Sequence, residues 1–254
     1  MPDILRRDEV LMPLSFNFVR LINFPEDPSF RTVENISLLS DMDQNQEEAT
    51  TQVSLKEKAF VEGVDRYIVK HDYLVKLVHP GRARGKTFKE YITQYEFPTY
   101  LVHAKGKSFA TLVVRTKSKV AHDCVRRLND KVGSFATEPV EVDFDKVRPQ
   151  IQHIKGAWFG EMKAANINST GLFGPHVDLS KEFKHAEGIG KLNAVVVLYP
   201  FQDSVRTVMI TRNGGVLLYD TFETEEAAFE LVQDIRAKLL DHAWVGPKKR
   251  GKKA

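Results

Sequence analysis

The stretch RTVMITRNGGVLLYDTF, residues 206–222, decides the fold class of this protein. It holds two runs of β-branched and apolar residues around Asn-Gly-Gly (213–215), the pattern of a β-hairpin with a tight turn. The next residues, ETEEAAFELVQDIRAKLL (223–240), change at once to helical spacing. A hairpin that runs directly into an amphipathic helix predicts an α+β fold. We expect Thr224 to cap this helix and five residues to form its buried stripe: Ala228, Leu231, Val232, Ile235 and Leu239.

Each half of the chain follows the same predicted order of strand, helix, three or more strands and long helix. In the second half a strand at 166–174, a helix at 178–188 and a strand at 192–201 precede the hairpin. The first half begins with a strand at 14–24, a helix at 30–41, an acidic loop at 41–52 and a short helix at 53–64. A strand at 67–80 follows, with a break near His71-Asp72, and then a basic loop and helix at 81–97. A hairpin at 99–114 and a helix at 115–131 complete this half. The pattern predicts an internal duplication of topology.

The composition is that of a globular chain able to bury a core. The 254 residues are 42% hydrophobic, enough for one large domain or two small ones. No apolar run approaches the roughly 18 residues of a membrane-spanning helix, and charges near the N-terminus predict no secretory signal. The single cysteine, Cys124, fits a reducing compartment. It lies on the apolar stripe of the 115–131 helix, which predicts a core residue and not a nucleophile.

The net charge of the chain comes from its C-terminal tail. The last nine residues, GPKKRGKKA, carry five cations, and removing them from the formal net charge of +3 leaves −2. The folded body is therefore nearly neutral, so attraction to nucleic acid has to come from local basic patches. The tail itself is interpreted either as a nuclear localisation signal with added phosphate contacts or as a solvated, silent segment.

The sequence lacks a convincing catalytic or metal motif. PGRARGKT (80–87) misses the Walker pattern, since only three residues separate Gly81 from Gly85 and Pro80 occupies the required glycine position. The basic stretch is read instead as an insertion that touches nucleic acid or a partner, or as a plain solvated loop. The histidines have no zinc-ligand spacing, and GPHVD (174–178) has no candidate nucleophile with an orienting group. No enzyme activity and no cofactor are predicted.

Two motifs, met in the same order in both halves, resemble the repeat of the TATA-binding protein family. In the second half, ANINST (165–170) is similar to the strand QNIVST of the family repeat, and MITRNGGVLLYDTFETEE (209–226) is similar to its hairpin and acidic helix start. In the first half, FNFVRLINF (16–24) and TYLVHAKGKSFATL (99–112) match the same two places more loosely. The resemblance spans roughly residues 14–241.

The resemblance implies two pseudo-symmetric repeats that form one curved antiparallel sheet, a saddle with helices on the convex face and DNA under the concave face. The implied domain boundaries are an N-terminal extension at 1–13, a first repeat at 14–135 with an acidic insertion at 41–52 and a basic one at 81–97, a connector at 136–163, a second repeat at 164–241 and a basic tail at 242–254.

The resemblance also implies DNA-contacting residues. The family asparagine that reads minor-groove acceptors corresponds to Asn17 and Asn166, and an amide suits both orientations of an A·T pair. The concave threonine corresponds to Thr111 and, in the second half, to Tyr219. Further expected contacts are Phe109, Leu217, Lys107 and Arg206.

The sequence departs from the family at the residues that kink DNA. The family wedges two phenylalanines per repeat between base steps. The corresponding residues here are Leu192 and Thr211 in the second half, and His103 with a position near Lys70 in the first. Unstacking costs a few kcal/mol per step, which these side chains offset poorly. We therefore expect a consensus TATA element to be bound weakly or bent little.

Protein partners are expected on the convex side. The 115–131 helix is predicted to expose a basic face for another initiation factor or, equally, for solvent: Arg115, Lys117, Lys119, Arg126 and Arg127. The acidic loop that the family uses to hold its B-type factor is reduced here to Glu187.

These features together predict a divergent TATA-binding-protein-related factor, nuclear and non-enzymatic. It would bind promoter DNA through the minor groove, scaffold A-type and B-type initiation factors in the preinitiation complex, recruit the RNA polymerase machinery and have no membrane association. One alternative is the same fold as an accessory module of a nucleic-acid-processing or repair complex. Another is a protein-interaction module of viral or bacterial origin that never touches DNA.

Overall fold

Two compact units make up the structure. Among the described residues, those from 17 to 139 form the N-terminal unit, and those from 140 to 245 together with 13–16 form the C-terminal unit. The computed structural model describes residues 13–27, 29–39, 44–83, 86–104, 110–164 and 166–245. Antiparallel strands with a few helices form both units, which confirms the α+β class. Within the described ranges, no helix combines the length and apolarity needed to cross a membrane.

The N-terminal unit is a strand-rich sheet covered by one helix. Its strands are β1 (Leu14–Asn23), β2 (Ser29–Leu39), β3 (Gln44–Val61), β4 (Val64–Ala83), β5 (Lys86–Val102), β6 (Thr111–Val114) and β7 (Ala136–Pro139). They pair antiparallel in the order β7-β1-β6-β5-β4-β3-β2. The helix α1 (Ser118–Lys131) follows β6.

The core of this unit lies between the sheet and α1. Val120, Cys124, Val125 and Leu128 are buried there, which confirms the predicted stripe. Burial raises the pKa of the Cys124 thiol to about 12, so the thiol is protonated and inert at neutral pH.

The predicted helices between residues 30 and 97 are wrong, because this region forms four long strands. Along β2, burial alternates strictly, so Val33 points outward while Thr32 and Glu34 point inward. The spacing of three between Val33 and Ile36 imitated a helix, and an acidic residue at an inward position concealed the strand period. The acidic loop and the short helix predicted over 41–64 are also wrong from Gln44 onward.

Strand pairing overrides local composition in these segments. The β3 strand is polar and acidic, but it pairs with β2 on one edge and with β4 on the other. The β4 strand runs without a break through His71-Asp72, and β5 pairs with it from Lys86 to Val102. Cross-strand hydrogen bonds therefore satisfy backbones that carry few apolar side chains.

The C-terminal unit contains a five-stranded sheet with helices on one face. Its elements are β8 (Glu141–Val142), α2 (Phe144–Val147), a 3₁₀ turn (Arg148–Gln150), β9 (Ile154–Ala164), β10 (Ile167–Phe173), a 3₁₀ turn (Val177–Leu179), α3 (Lys181–Ile189), β11 (Lys191–Phe201), β12 (Ser204–Thr211), β13 (Gly215–Leu218), α4 (Glu225–Ile235), a π-helical turn (Arg236–Leu240) and β14 (Trp244–Val245). The sheet order is β10-β9-β11-β12-β13, and β8 pairs with β14.

The predicted hairpin at 206–222 and the helix that follows it are confirmed. The β12 and β13 strands pair antiparallel, and Thr224 Oγ1 accepts a hydrogen bond from the Ala227 amide at 3.2 Å, as predicted for the cap. All five predicted stripe residues of this helix are buried. The β9 strand, however, lies inside the segment predicted as a connector.

The predicted duplication of element order is wrong for the first half. In the described residues from 14 to 114, every regular element is a strand, whereas α3 precedes the three consecutive strands of the second half. The two halves thus share a strand-rich start and a long closing helix, but not the elements between them.

Candidate nucleic-acid interface

The sheet of the C-terminal unit has one face covered by helices. Alternation along β11 turns Val195, Val197 and Tyr199 toward them, and all three are buried. The Tyr199 hydroxyl donates to Asp234 Oδ2 of α4 at 2.6 Å. Burial, together with this carboxylate, raises the pKa of Tyr199 above its ordinary value.

The opposite face of this sheet points away from α3 and α4. Eight of the side chains that strand register places on it are Trp158, Phe173, Val196, Leu198, Met209, Thr211, Leu217 and Tyr219. We call these eight residues the open face. None of them carries a charge, and all remain partly or largely accessible to solvent. An accessible apolar surface of this kind on a sheet often marks an interaction site.

Two aromatic rings dominate one end of the open face. Trp158 and Phe173 meet edge to face with centroids 4.8 Å apart, and Phe173 is 68% exposed. The rings lie over two glycines: a Cβ at Gly171 would come within 3.1 Å of the Phe173 ring, and one at Gly156 within 3.3 Å. The glycines thus leave the space that lets both rings lie against the sheet.

The other end of the open face ends in Tyr219. Its hydroxyl lies 4.0 Å from the Met209 sulfur, and its side chain is largely exposed. Partial burial raises the pKa of Tyr219, so the phenol is neutral at physiological pH. The open face therefore offers ring faces, a thioether and two hydroxyl groups, which can contact base edges and sugars but cannot neutralise phosphates.

Three of the DNA-contacting residues predicted for the second half meet on the open face. Thr211, Leu217 and Tyr219 lie on β12, on β13 and just after β13, respectively, on the side away from the helices. The Thr211 hydroxyl also accepts a hydrogen bond from the Gly215 amide at 2.8 Å.

Leu192 and Arg206 lie on the helix side of the same sheet. Leu192 is the cross-strand neighbour of Phe159, whose ring packs on Phe183 of α3, and it is buried. Arg206 stacks over the Phe222 ring at 5.1 Å. In this arrangement neither side chain reaches the open face, so a wedge role for Leu192 requires a different conformation.

In the N-terminal unit, Asn17 is held inside the sheet. It is 4% exposed, and its amide donates to the carbonyls of Val114 at 3.2 Å and Thr116 at 2.7 Å. Both amide hydrogens are therefore used within the protein. Thr111, at the start of β6, is fully buried. Neither residue presents a free polar group to a ligand in this arrangement.

The other predicted contacts are scattered over turns and ends of strands. Asn166 lies in the turn between β9 and β10 with a left-handed φ of 64°, a conformation that asparagine tolerates better than most residues. His103 Nε2 lies 2.9 Å from Asp65 Oδ2, and Lys70 pairs with Glu96 at 3.4 Å. Lys107 and Phe109 lie outside the described residues.

The predicted basic face of α1 is only partly exposed. Lys117 and Lys119 are exposed, and Arg115 is partly buried. The prediction is wrong for Arg127, which is 1% exposed and bonded to Glu34 and Asp123. Glu187, the remaining predicted partner contact, pairs with Arg148 at 2.6 Å.

A buried polar network that residue spacing does not predict lies beneath α1. Thr51 Oγ1 lies 2.8 Å from His71 Nδ1, and His71 Nε2 lies 3.1 Å from Asp123 Oδ2. This order of hydroxyl, imidazole and carboxylate resembles a catalytic triad. The Thr51 side chain is fully buried, however, and its oxygen also accepts a hydrogen bond from Arg127 at 3.3 Å. No substrate can reach that hydroxyl, so the network fixes α1 to β3 and β4.

Two observations in the described residues bear on metal and small-ligand binding. Within them, no group of three or more His, Cys, Asp or Glu side chains is placed to bind a metal ion. A cavity in the N-terminal core, lined by Phe24, Thr99 and Cys124 among others, has a volume of about 10 Å³, room for one water molecule.

Comparison with known proteins leaves the open face as the main functional evidence. No protein-family model matches this sequence, and no curated protein is significantly similar to it.

Proposed function

We propose that this protein is a non-enzymatic transcription initiation factor related to the TATA-binding protein, which binds promoter DNA through the open face of its C-terminal unit. Minor-groove proteins of this class lay an apolar sheet surface on the duplex and insert apolar side chains between base steps. The observation that carries the proposal is the uncharged open face, on which the exposed Phe173 ring stands beside Trp158.

Phe173 takes the wedge role in this proposal. Thr211 presents little apolar surface, and Leu192 is turned toward α3. A single exposed phenylalanine can offset part of the cost of unstacking one step, whereas a family repeat uses two. The proposal therefore keeps the expectation that a TATA element is bound weakly or bent little.

The proposal includes only part of the two-repeat saddle that the resemblance implies. The resemblance implies that residues 14–135 are the first repeat, yet four long strands occupy residues 29–102, where the family repeat has a helix. The proposal is supported by the second half, whose hairpin, capped helix and open-face residues agree with the resemblance. We propose that the first half assists DNA binding. This role does not require the first half to repeat the structure of the second half.

Initiation-factor partners are proposed to bind at the start of α1. Lys117 and Lys119 are exposed there and form no ion pair within the described residues, whereas Arg126 and Arg127 are occupied by carboxylates. An acidic surface on an A-type or B-type factor would complement these two lysines.

Nuclear localisation is proposed from the basic tail, whose removal should leave a fluorescent fusion of the protein outside the nucleus.

The proposal is tested by titrating the full chain into a fluorescein-labelled duplex that carries a TATA element and following anisotropy. Leu217→Glu places a carboxylate on the open face, where it meets the phosphate field of the duplex, so we expect affinity to fall about tenfold. Leu179→Glu is the matched control, because Leu179 is an exposed leucine in a 3₁₀ turn outside the open face. Equal affinities of both variants at equal thermal stability would contradict the proposal.

The repair-complex alternative is distinguished by partner identity. Affinity capture from a nuclear extract should return initiation-factor and polymerase subunits under the proposal. Recovery of repair or RNA-processing proteins, unaffected by Lys117→Glu and Lys119→Glu together, would favour the alternative.

A further inference from the structure

Strands β4 and β5 continue as a two-stranded ribbon past their last pairings with β3 and β6. The pairing of β4 with β3 ends at His71, and β5 pairs with β6 only from Thr99 onward. Residues 72–83 and 86–94 therefore pair only with each other within the described part of the chain. At roughly 3.3 Å per residue, the ribbon is about 35 Å long. We call these two segments the ribbon.

Specific cross-strand contacts hold the ribbon in shape. Leu74 faces Ile92, and Lys76 pairs with Glu90 at 3.3 Å. Toward the tip, four residues from Leu77 to Pro80 bulge opposite one residue of β5, and the Phe88 ring then closes over Gly81, where a Cβ would come within 2.6 Å of it. Ribbons of two strands are marginal without such packing, so these contacts indicate a built element.

The tip of the ribbon is strongly basic, whereas the rest of the body has a net negative charge. Residues 77–89 contain four Lys or Arg and no Asp or Glu. Of these cations, Arg82 and Lys89 are described with their side chains, and both are exposed without an acidic partner in the described residues. Tyr91 is 40% exposed and follows Lys89 on the same side of β5. Unpaired cations concentrated at the end of an extended element indicate a polyanionic partner.

The dimensions of the ribbon fit duplex DNA. The major groove, about 12 Å wide, admits a two-stranded β-ribbon, and a ribbon of about 35 Å spans one helical turn. Since the open face has no charge, phosphate neutralisation has to come from another part of the chain.

We propose that the ribbon is a DNA-binding arm that lies along a groove of duplex DNA, with Arg82 and Lys89 contacting phosphates and Tyr91 beside them. The choice of DNA as the ligand rests on the proposed function, whereas the choice of contact residues rests on the structure of the ribbon. The contacts are independent of base sequence, because phosphates carry no sequence information directly.

The arm is tested with the full chain and a 20-base-pair duplex that lacks a TATA element. Anisotropy titrations from about 50 to 200 mM KCl compare the wild type with Arg82→Gln and Lys89→Gln combined. The control combines Lys56→Gln and Lys131→Gln, which remove two exposed lysines of the same unit away from the ribbon. Losing two phosphate contacts should reduce the slope of log affinity against log salt by about two and weaken binding about tenfold near 0.1 M salt. The control should match the wild type.

The outcomes separate the arm from the proposed function. If the arm variant binds as the wild type does, with an unchanged salt slope, the arm is overturned even when Leu217→Glu still weakens TATA binding. If the arm variant loses affinity while Leu217→Glu does not, the arm stands and the open-face proposal fails. If the wild type binds no duplex, the assignment of the arm to DNA is overturned. Unchanged melting temperatures confirm that each variant is folded.

Discussion

Arg126 and Arg127 are neighbours in α1, and both guanidinium groups reach Glu34, yet the Arg126 side chain is 47% exposed and that of Arg127 is 1% exposed. Arg127 also donates to the Thr50 carbonyl and to Asp123. The pair shows how one helix of this unit is attached to the sheet by charge as well as by its apolar stripe.

Arg127→Ala should destabilise the N-terminal unit far more than Arg126→Ala. Removing Arg127 leaves a buried space and two carboxylates short of a partner, a change that costs about 3 kcal/mol or more. The exposed Arg126 contributes at most about 1 kcal/mol, because water screens its ion pairs. Urea unfolding followed by circular dichroism measures both free energies, and equal losses for the two variants would refute the assigned environments.

Stability should fall between about pH 4 and pH 2 because of Asp123. Burial opposes ionisation of this carboxyl, but hydrogen bonds from His71 and Arg126 prevail and lower its pKa from 3.8 to about 2. Since the folded pKa lies below the unfolded one, the contribution of about 2 kcal/mol is complete above pH 4 and is lost as pH falls toward 2. Asp123→Asn should flatten the stability profile across that window, while Glu230→Gln on the exposed side of α4 should not.

Asn17→Ala should lower the free energy of unfolding. It leaves the Val114 and Thr116 carbonyls without their donor, at a cost of about 2 kcal/mol. Asn166→Gly should be neutral or slightly stabilising, because glycine adopts the left-handed φ at this turn more readily. Thermal melts test both statements. A destabilised Asn166→Gly, or an Asn17→Ala variant that melts like the wild type, would contradict the structural roles.

Phe173→Ala should separate binding from folding. Because the ring is 68% exposed, its removal should cost less than about 1 kcal/mol of stability. Under the proposed wedge role, DNA bending measured by resonance energy transfer between the duplex ends should nevertheless decrease. Leu179→Ala, at an equally accessible position outside the open face, is the control and should bend DNA as the wild type does.

The sequence predicted elements well where side-chain periodicity and local capping decide the structure. The hairpin before α4, the Thr224 cap and the stripe through Cys124 were all read correctly from residue spacing. The open-face positions of Thr211, Leu217 and Tyr219 follow from the period of two along β12 and β13.

The remaining errors have a common physical origin in long-range pairing. Residues 44–52 look like a loop because their side chains are polar, but pairing with β2, and from Thr51 onward also with β4, satisfies their backbone. Arg127 looks solvent-exposed on a helical wheel, and its partners on β2 and β3, Glu34 and Thr50, explain its burial. Phe173 and Trp158 were missed because their contact depends on the register of β9 with β10, which local spacing does not fix.

The open-face claim is tested most directly by the fluorescence of Trp158. The chain has two tryptophans, so Trp244→Phe leaves Trp158 as the only one, and Trp158→Phe leaves Trp244 as the control. The account predicts that a TATA duplex shifts and quenches Trp158 emission, saturating at the concentration where anisotropy saturates, with no change for the control. Full binding by anisotropy with unchanged Trp158 emission would contradict it.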